Sequence, residues 1–163
     1  MKKSTYVIFV SLIIVWFLAG FAFAQKDESK VDPKLLLKVK KIVEDSKIPY
    51  NMVGSDVWVL YYNGKNKKDI SVAVVPYETL VVYQALICEK NKLILNNDLY
   101  VKMADLSRRF DRGKFIITGD GDLIFRIDSY VRTLDLKDFA DDADQAAAAT
   151  DEAYPELQKF IKK

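Results

Sequence analysis

Histidine is absent from this chain of 163 residues, and cysteine occurs once, at Cys88. The lack of histidine removes the commonest general base, the commonest zinc ligand and the usual catalytic triads. A single cysteine excludes a disulfide within the chain, so Cys88 is either a buried inert thiol or half of a bridge between molecules. An enzyme would have to use carboxylates or lysine alone, and no such pair is recognisable. We therefore predict a protein that is not an enzyme and that needs no cofactor or metal.

A strong charge of either sign is also missing. The chain has 25 basic and 23 acidic residues, and two of the lysines, Lys2 and Lys3, lie in the first 24 residues. Without that segment 23 basic residues balance 23 acidic ones. A net charge near zero gives no reason to expect nucleic acid or an anionic membrane surface as a partner.

The first 24 residues have the pattern of a bacterial secretory signal. Lys2 and Lys3 precede an uncharged apolar run, which ends in Ala22-Phe23-Ala24 before Gln25. This pattern predicts export and cleavage after Ala24, with a periplasmic or secreted product. The alternative is an uncleaved inner-membrane anchor, because the run approaches the ~20 residues of a spanning helix. Only under that reading do we expect a membrane partner.

The rest of the chain reads as a flexible lead over residues 25–32 and one domain over residues 33–163. The predicted order is α-β-β-β-α-β-β-α, a single α+β domain whose helices pack on a mainly antiparallel five-stranded sheet. Asp32-Pro33 predicts the first helix start, and Pro155 is expected to kink or split the last helix. The predicted elements are helices from Pro33 to before Pro49, 96–110 and 136–162, and strands 56–62, 70–75, 79–88, 114–118 and 123–128.

Two of the predicted strands are apolar on both faces. Trp58, Leu60 and Tyr62 point opposite to Val57, Val59 and Tyr61, and Val81 and Tyr83 point opposite to Leu80 and Val82. Such strands need cover on both sides, and three helices are few for that task. We predict an apolar surface that takes a partner chain or a second copy, with Trp58, Tyr62, Val81 and Tyr83 as contact residues.

Three charged clusters have simpler explanations than a site. Residues 119–122 (GDGD) lack the further ligands of a calcium loop and predict a tight turn. Asp138, Asp141, Asp142 and Asp144 suit the first turns of a helix. Arg108 and Arg109 follow a helix end, where cations are favoured, and they are also candidates for docking an acidic partner.

Three segments carry a family resemblance, namely residues 106–115 (LSRRFDRGKF), 120–128 (DGDLIFRID) and 152–157 (EAYPEL). They resemble the second half of the YbjN-type family, whose fold is shared with type III secretion chaperones. The resemblance implies a chaperone-like fold with no catalytic motif, suited to dimers or to holding extended segments of other proteins.

These observations lead to an exported, non-enzymatic protein-binding or chaperone-like module of the YbjN type, with regulation as a candidate role, whose partner is a protein or peptide segment, or a second copy. The alternatives are an envelope scaffold held by an uncleaved first segment and a carboxylate-based hydrolase. The hydrolase would require acids such as Asp111, Asp120 and Asp128 to converge in one cleft.

Overall fold

The structure is a computed structural model that describes residues 31–162. The predicted signal segment 1–24 and residues 25–30 of the lead lie outside the described residues, so the domain boundaries stay predictions. The helices are α1 (Pro33–Ser46), α2 (Asn97–Ser107) and α3 (Leu136–Leu157), and single 3-10 turns cover Lys90–Lys92 and Gln158–Phe160. The strands are β1 (Tyr50–Val53), β2 (Val57–Tyr62), β3 (Ile70–Tyr77), β4 (Leu80–Cys88), β5 (Lys114–Ile117) and β6 (Leu123–Tyr130).

The start of α1 follows the local sequence closely. The Asp32 carboxylate accepts a hydrogen bond from the Lys34 amide at 2.9 Å, and Pro33 occupies the first helical turn. Both features favour a helix start, because the first amides of a helix have no partner inside it. The Asp32 side chain supplies a partner, and Pro33 has no amide that needs one. The helix predicted over residues 96–110 is α2, which begins at Asn97, since the Asn96 side chain caps it by accepting the Leu99 amide at 2.9 Å.

The sheet has six strands in the order β1-β2-β3-β4-β6-β5, and every neighbouring pair is antiparallel. The prediction of an antiparallel α+β sheet is confirmed, whereas the number of five strands is wrong. The additional strand is β1, four residues between Pro49 and a turn at Gly54. It is too short and too exposed to show an alternating pattern, and it forms because β2 offers it a paired edge, with Tyr50 opposite Leu60.

The helices form one layer on one face of the sheet. Helix α3 packs on β3, β4 and β6, α2 packs on β5, and α1 packs on α3. The main core lies between this layer and the sheet. We call the strand residues that point into it the covered face: Trp58, Leu60, Val72, Val74, Val81, Tyr83, Ala85, Phe125 and Ile127.

Pro155 does not split the last helix. Helix α3 runs continuously to Leu157, so Pro155 lies in its final turn. Proline has no amide to bond the carbonyl of Asp151 one turn earlier. The side-chain amide of Asn66 donates to that carbonyl instead, at 3.2 Å. A contact from a distant loop therefore satisfies the group that the proline leaves open.

The Asp151 carboxylate also holds the β2–β3 loop against α3. It accepts the backbone amides of Lys65, Asn66 and Lys67 at 3.0, 2.7 and 2.7 Å. Burial raises the pKa of Asp151, but these three amides outweigh it and keep the pKa below its usual range. The loop approaches so closely that a Cβ on Gly64 would lie 2.1 Å from an Asp151 oxygen. This clamp ties the helix layer to the sheet.

Candidate functional site

Three of the predicted contact residues lie beneath the helix layer. Trp58 is 1% exposed, and Val81 and Tyr83 are fully buried on the covered face. Tyr62 is half-buried and packs against the same core. A partner that approaches the folded protein from outside meets other residues first, so their role as contacts stays a prediction that would require the helices to move.

The polar atoms of these aromatic residues are unusually isolated. Among residues 31–162, the Trp58 indole nitrogen and the Tyr62 and Tyr83 hydroxyls have no hydrogen-bond partner. The Tyr62 hydroxyl faces Asp144 without reaching hydrogen-bond geometry, and burial together with that charge raises its pKa. Burial, followed by the charges of Asp142 and Asp138, also raises the pKa of Tyr83. Both hydroxyls are therefore neutral at any physiological pH.

Arg108 and Arg109 are exposed at the end of α2, as the sequence predicts, but acids of the same protein pair with them. Arg109 bonds Glu156 at 2.6 Å and Asp105 at 3.3 Å, and Arg108 bonds Asp105 at 3.0 Å. Lys102 adds a second cation to Glu156 at 2.8 Å. These bonds from Arg109 and Lys102 lower the pKa of Glu156 to about 2. The two carboxylates of Asp105 and Glu156 thus balance two of the three positive charges of Lys102, Arg108 and Arg109. Docking of an acidic partner at Arg108 and Arg109 stays a prediction.

The opposite face of the sheet carries a second, smaller apolar cluster. Ala73, Val75 and Val82 form it with Val57 and Leu80, and all five belong to strands. We call this side the open face, because no helix residue among residues 31–162 joins the cluster. Among residues 31–162 the helices pack on the covered face, and Ala73 and Val82 of the open face are 1% and 3% exposed.

A concave cavity of about 500 Å³ lies on the open face, and we call it the groove. Its floor crosses the strands from β2 to β5, and the β5–β6 turn forms one end. The apolar part of the lining consists of Val57, Val75, Val82, Leu86, Ile116, Ile117 and Ile124. Its size falls within the range of sites that hold a small molecule or a few side chains.

Polar groups cross the middle of the groove in one row. Gln84 stands between Ala73 of β3 and Arg126 of β6, and Lys114 of β5, next to Arg126 in register, lies outside the lining. The Arg126 Nε–H donates to the Asp128 carboxylate at 2.7 Å, which offsets the arginine's charge. The Gln84 side chain has no hydrogen bond among residues 31–162, so it offers both a donor and an acceptor to an occupant.

The two outer strands of the sheet differ in how freely their edges could accept another strand. On β5 the Phe115 amide donates to the Ser107 hydroxyl at 3.0 Å, and that hydroxyl donates to the Met103 carbonyl. Helix α2 thus blocks the start of the β5 edge, which is a common protection against unwanted pairing. Strand β1 is short and largely exposed.

The acids that a hydrolase would need do not converge. Asp120 lines the groove, Asp128 lines a second cavity of about 350 Å³, and Asp111 lines neither. The second cavity contains the buried carboxylate of Asp142, which accepts the Ser129 hydroxyl at 2.5 Å and Arg112 at 2.7 Å. Both carboxylate oxygens are therefore occupied in joining α3, β6 and the loop after α2.

The metal-ligating groups, the cysteine and the helices of residues 31–162 give no further candidate site. Within residues 31–162, no group of three or more acidic, cysteine or histidine residues is placed to hold a metal ion. Cys88 is buried, and burial raises the pKa of its thiol to about 11, so the reactive thiolate is scarce at neutral pH. The helices described in residues 31–162 include none with the length and apolar character to cross a membrane.

Sequence reasoning missed most of the groove residues. Gln84 and Arg126 sit in apolar strands, and only the pairing of β4 with β6 brings them side by side. The signal that could have found them was already present: a polar residue on an otherwise apolar strand face marks a place where that face meets water or a partner. The predicted tight turn at residues 119–122 is observed, with the Gly121 amide bonded to the Thr118 carbonyl at 2.9 Å.

Comparison with known proteins supports the fold but not a sequence family. No protein-family model matches the chain, and no curated protein matches it. One similar solved structure is a chain of the ExsC–ExsE complex, with a TM-score of 0.54, 11% identity, and coverage of 80% of this chain and 96% of that one. Another is YbjN from E. coli, with a TM-score of 0.50, 12% identity, and coverage of 77% and 94%. The chain has a YbjN-type, chaperone-like fold, as its resemblance to that family predicted.

Proposed function

We propose that this chain is an exported, non-enzymatic binding module that holds an extended segment of another protein in the groove. The observation that carries the proposal is the open face itself: an apolar, concave strand surface that no helix of residues 31–162 covers. Val57, Leu86 and Ile116 keep part of their apolar surface accessible there, which is costly in water and typical of a surface that binds another molecule.

The polar groups of the groove favour a peptide over a purely apolar ligand. Gln84 lies in the middle of an apolar floor with its amide free among the described residues. A primary amide donates and accepts at once, which matches the alternating donor and acceptor of a peptide backbone. Exposed Tyr77 at the rim adds a large side chain that can pack on a partner.

The fold likeness and the N-terminal pattern support the rest of the proposal. One structure of the same fold is a complex of two proteins, ExsC and ExsE. The signal-like segment before Gln25 supports export into the periplasm or the medium. An anchored envelope scaffold is the alternative for the same domain, and the two differ only in the fate of that segment.

Site-specific photo-crosslinking tests the groove directly. A photoreactive phenylalanine analogue replaces Leu86 in the groove, and a control chain carries it at Leu37, which is 65% exposed on α1. Irradiated in the native cell envelope, the Leu86 chain is expected to form a discrete adduct with another protein, and the Leu37 chain is not. Equal adducts at both positions, or none at Leu86, would contradict the proposal. An adduct of twice the chain mass identifies a second copy as the occupant.

The N-terminus of the native protein tests export. Sequencing of the protein recovered from the envelope fraction is expected to start at Gln25. An intact start at Met1 in the membrane fraction supports the anchored scaffold, and unprocessed protein among soluble cytosolic proteins contradicts both.

A further inference from the structure

We infer that the segment held in the groove carries a lysine or arginine beside its apolar residues, and that this basic residue lies over the β5–β6 turn. The inference rests on the proposed function and adds the chemistry of the partner. It follows from the distribution of charge along the groove, which is uneven.

The end of the groove at the β5–β6 turn is acidic. Asp120 and Asp122 both line it there, and neither forms an ion pair with a basic side chain among residues 31–162. The one lining cation, Arg126, is paired with Asp128 on the same strand. The groove lining therefore contains two carboxylates and one paired cation, while Lys90 and Lys114 lie beside the lining and outside it.

The position of these carboxylates is set by a well-bonded turn. The Thr118 amide donates to the Asp122 carbonyl at 2.9 Å, and the Thr118 hydroxyl accepts the Asp122 amide at 3.0 Å. One Asp122 oxygen accepts the Lys90 amide at 2.8 Å. The alkyl chain of Lys90 packs on Gly121, where a Cβ would lie 2.9 Å from it. The turn is thus held in place before any partner arrives, which lowers the cost of ordering it on binding.

This pattern separates classes of ligand. A free carboxylate, as in a fatty acid, would meet two acids and an arginine that is already paired. An apolar segment with a flanking basic residue places its apolar side chains on Val82, Leu86 and Ile124 and its charge near Asp120 and Asp122. Complementary charge of this kind contributes more to specificity and association rate than to affinity.

Three synthetic probes measure the preference. Each is a fluorescein-labelled ten-residue peptide of alternating valine and polar residues, and the three begin with two lysines, two glutamines or two glutamates. Fluorescence anisotropy with the chain from Gln25 is expected to rank them lysine, glutamine, glutamate, with about three- to tenfold between the first two. High salt should reduce the preference, because it screens exposed charges.

Two matched variants assign the preference to the turn. Asp120→Asn is expected to bring the lysine peptide close to the glutamine peptide, whereas Asp111→Asn, an exposed acid outside the groove, should leave the ranking unchanged. A lysine preference that survives Asp120→Asn, or tighter binding of the glutamate peptide, overturns the inference.

The experiment also separates this inference from the function beneath it. If all three peptides bind equally and Leu86→Gln weakens all of them, the groove binds peptide and only the charge preference is wrong. If none binds at about 1 mM, both the inference and the groove as a peptide site are overturned.

Discussion

The covered face and the open face of the sheet are made of the same strands and are both apolar, yet they have different environments. The covered face carries the large buried aromatics Trp58, Tyr83 and Phe125, and the helices complete their packing. The open face carries mainly Val, Ala, Leu and Ile, interrupted by Gln84 and Arg126. Apolarity alone shows that a strand face avoids water, whereas side-chain size and the presence of polar breaks distinguish a packed core from a surface that binds.

Leu60→Ala should have the largest effect, because Leu60 is fully buried on the covered face. Removing its side-chain carbons leaves a cavity that the packed helices cannot fill, so the free energy of unfolding should fall by about 2–5 kcal/mol. Urea unfolding followed by circular dichroism measures the change. A loss below about 1 kcal/mol would mean that the helix layer is looser than the structure shows.

Asp151→Ala tests the clamp that joins the helix layer to the β2–β3 loop. The change leaves three loop amides without their carboxylate partner, at an expected cost of about 1–2 kcal/mol because the site is partly exposed. Hydrogen exchange should show faster exchange of the Lys65, Asn66 and Lys67 amides. Exchange equal to that of the unchanged chain at these amides would argue against the clamp.

Leu86→Ala makes the same chemical change as Leu60→Ala on the other face. Leu86 is half-buried at the groove, so the stability loss should stay within about 1 kcal/mol. Binding of the lysine peptide should weaken, as followed by fluorescence anisotropy. If Leu86→Ala and Leu60→Ala destabilise equally, the two faces do not differ in the way proposed.

Protonation or substitution of Glu156, which lies on the outer surface of the helix layer, should have the smallest effect on stability. Hydrogen bonds from Arg109 and Lys102 lower its pKa to about 2 from an ordinary 4.5. Because the folded pKa is the lower one, this contribution is complete above about pH 4.5 and is lost as the pH falls toward 2. A carboxyl titration by NMR should show the low midpoint, and Glu156→Gln should flatten the stability curve over that window only. A midpoint near 4.5 would contradict the ion-pair geometry.

Local signals predicted much of the fold. The Asp32-Pro33 start, the dense β2 strand and the tight turn before β6 depend on neighbouring residues, and all three are observed. Strand β1 was missed because its existence depends on the partner edge rather than on its own four residues. Pro155 was predicted to kink or split the last helix, and α3 is not split; the donor that bonds the Asp151 carbonyl there, Asn66, lies 85 positions away in the chain.

The candidate site was harder to predict than the fold. Trp58, Val81 and Tyr83 were predicted as contacts on the ground that large aromatic side chains bury the most area at an interface. The same property favours the interior, and the helices cover these residues in the structure. Their alternation with Val57, Val59 and Val82 was correctly read, but alternation does not say which side a helix will occupy.

By itself the sequence determined the element types, the two apolar faces of the central strands and the lack of histidine chemistry, since these depend on residue identity and short-range spacing. Tertiary structure decided which face the helices cover, and it brought Gln84, Arg126 and the acidic turn to one groove. That choice arises from packing between elements far apart in the chain, where side-chain volume and long-range pairing outweigh any local pattern.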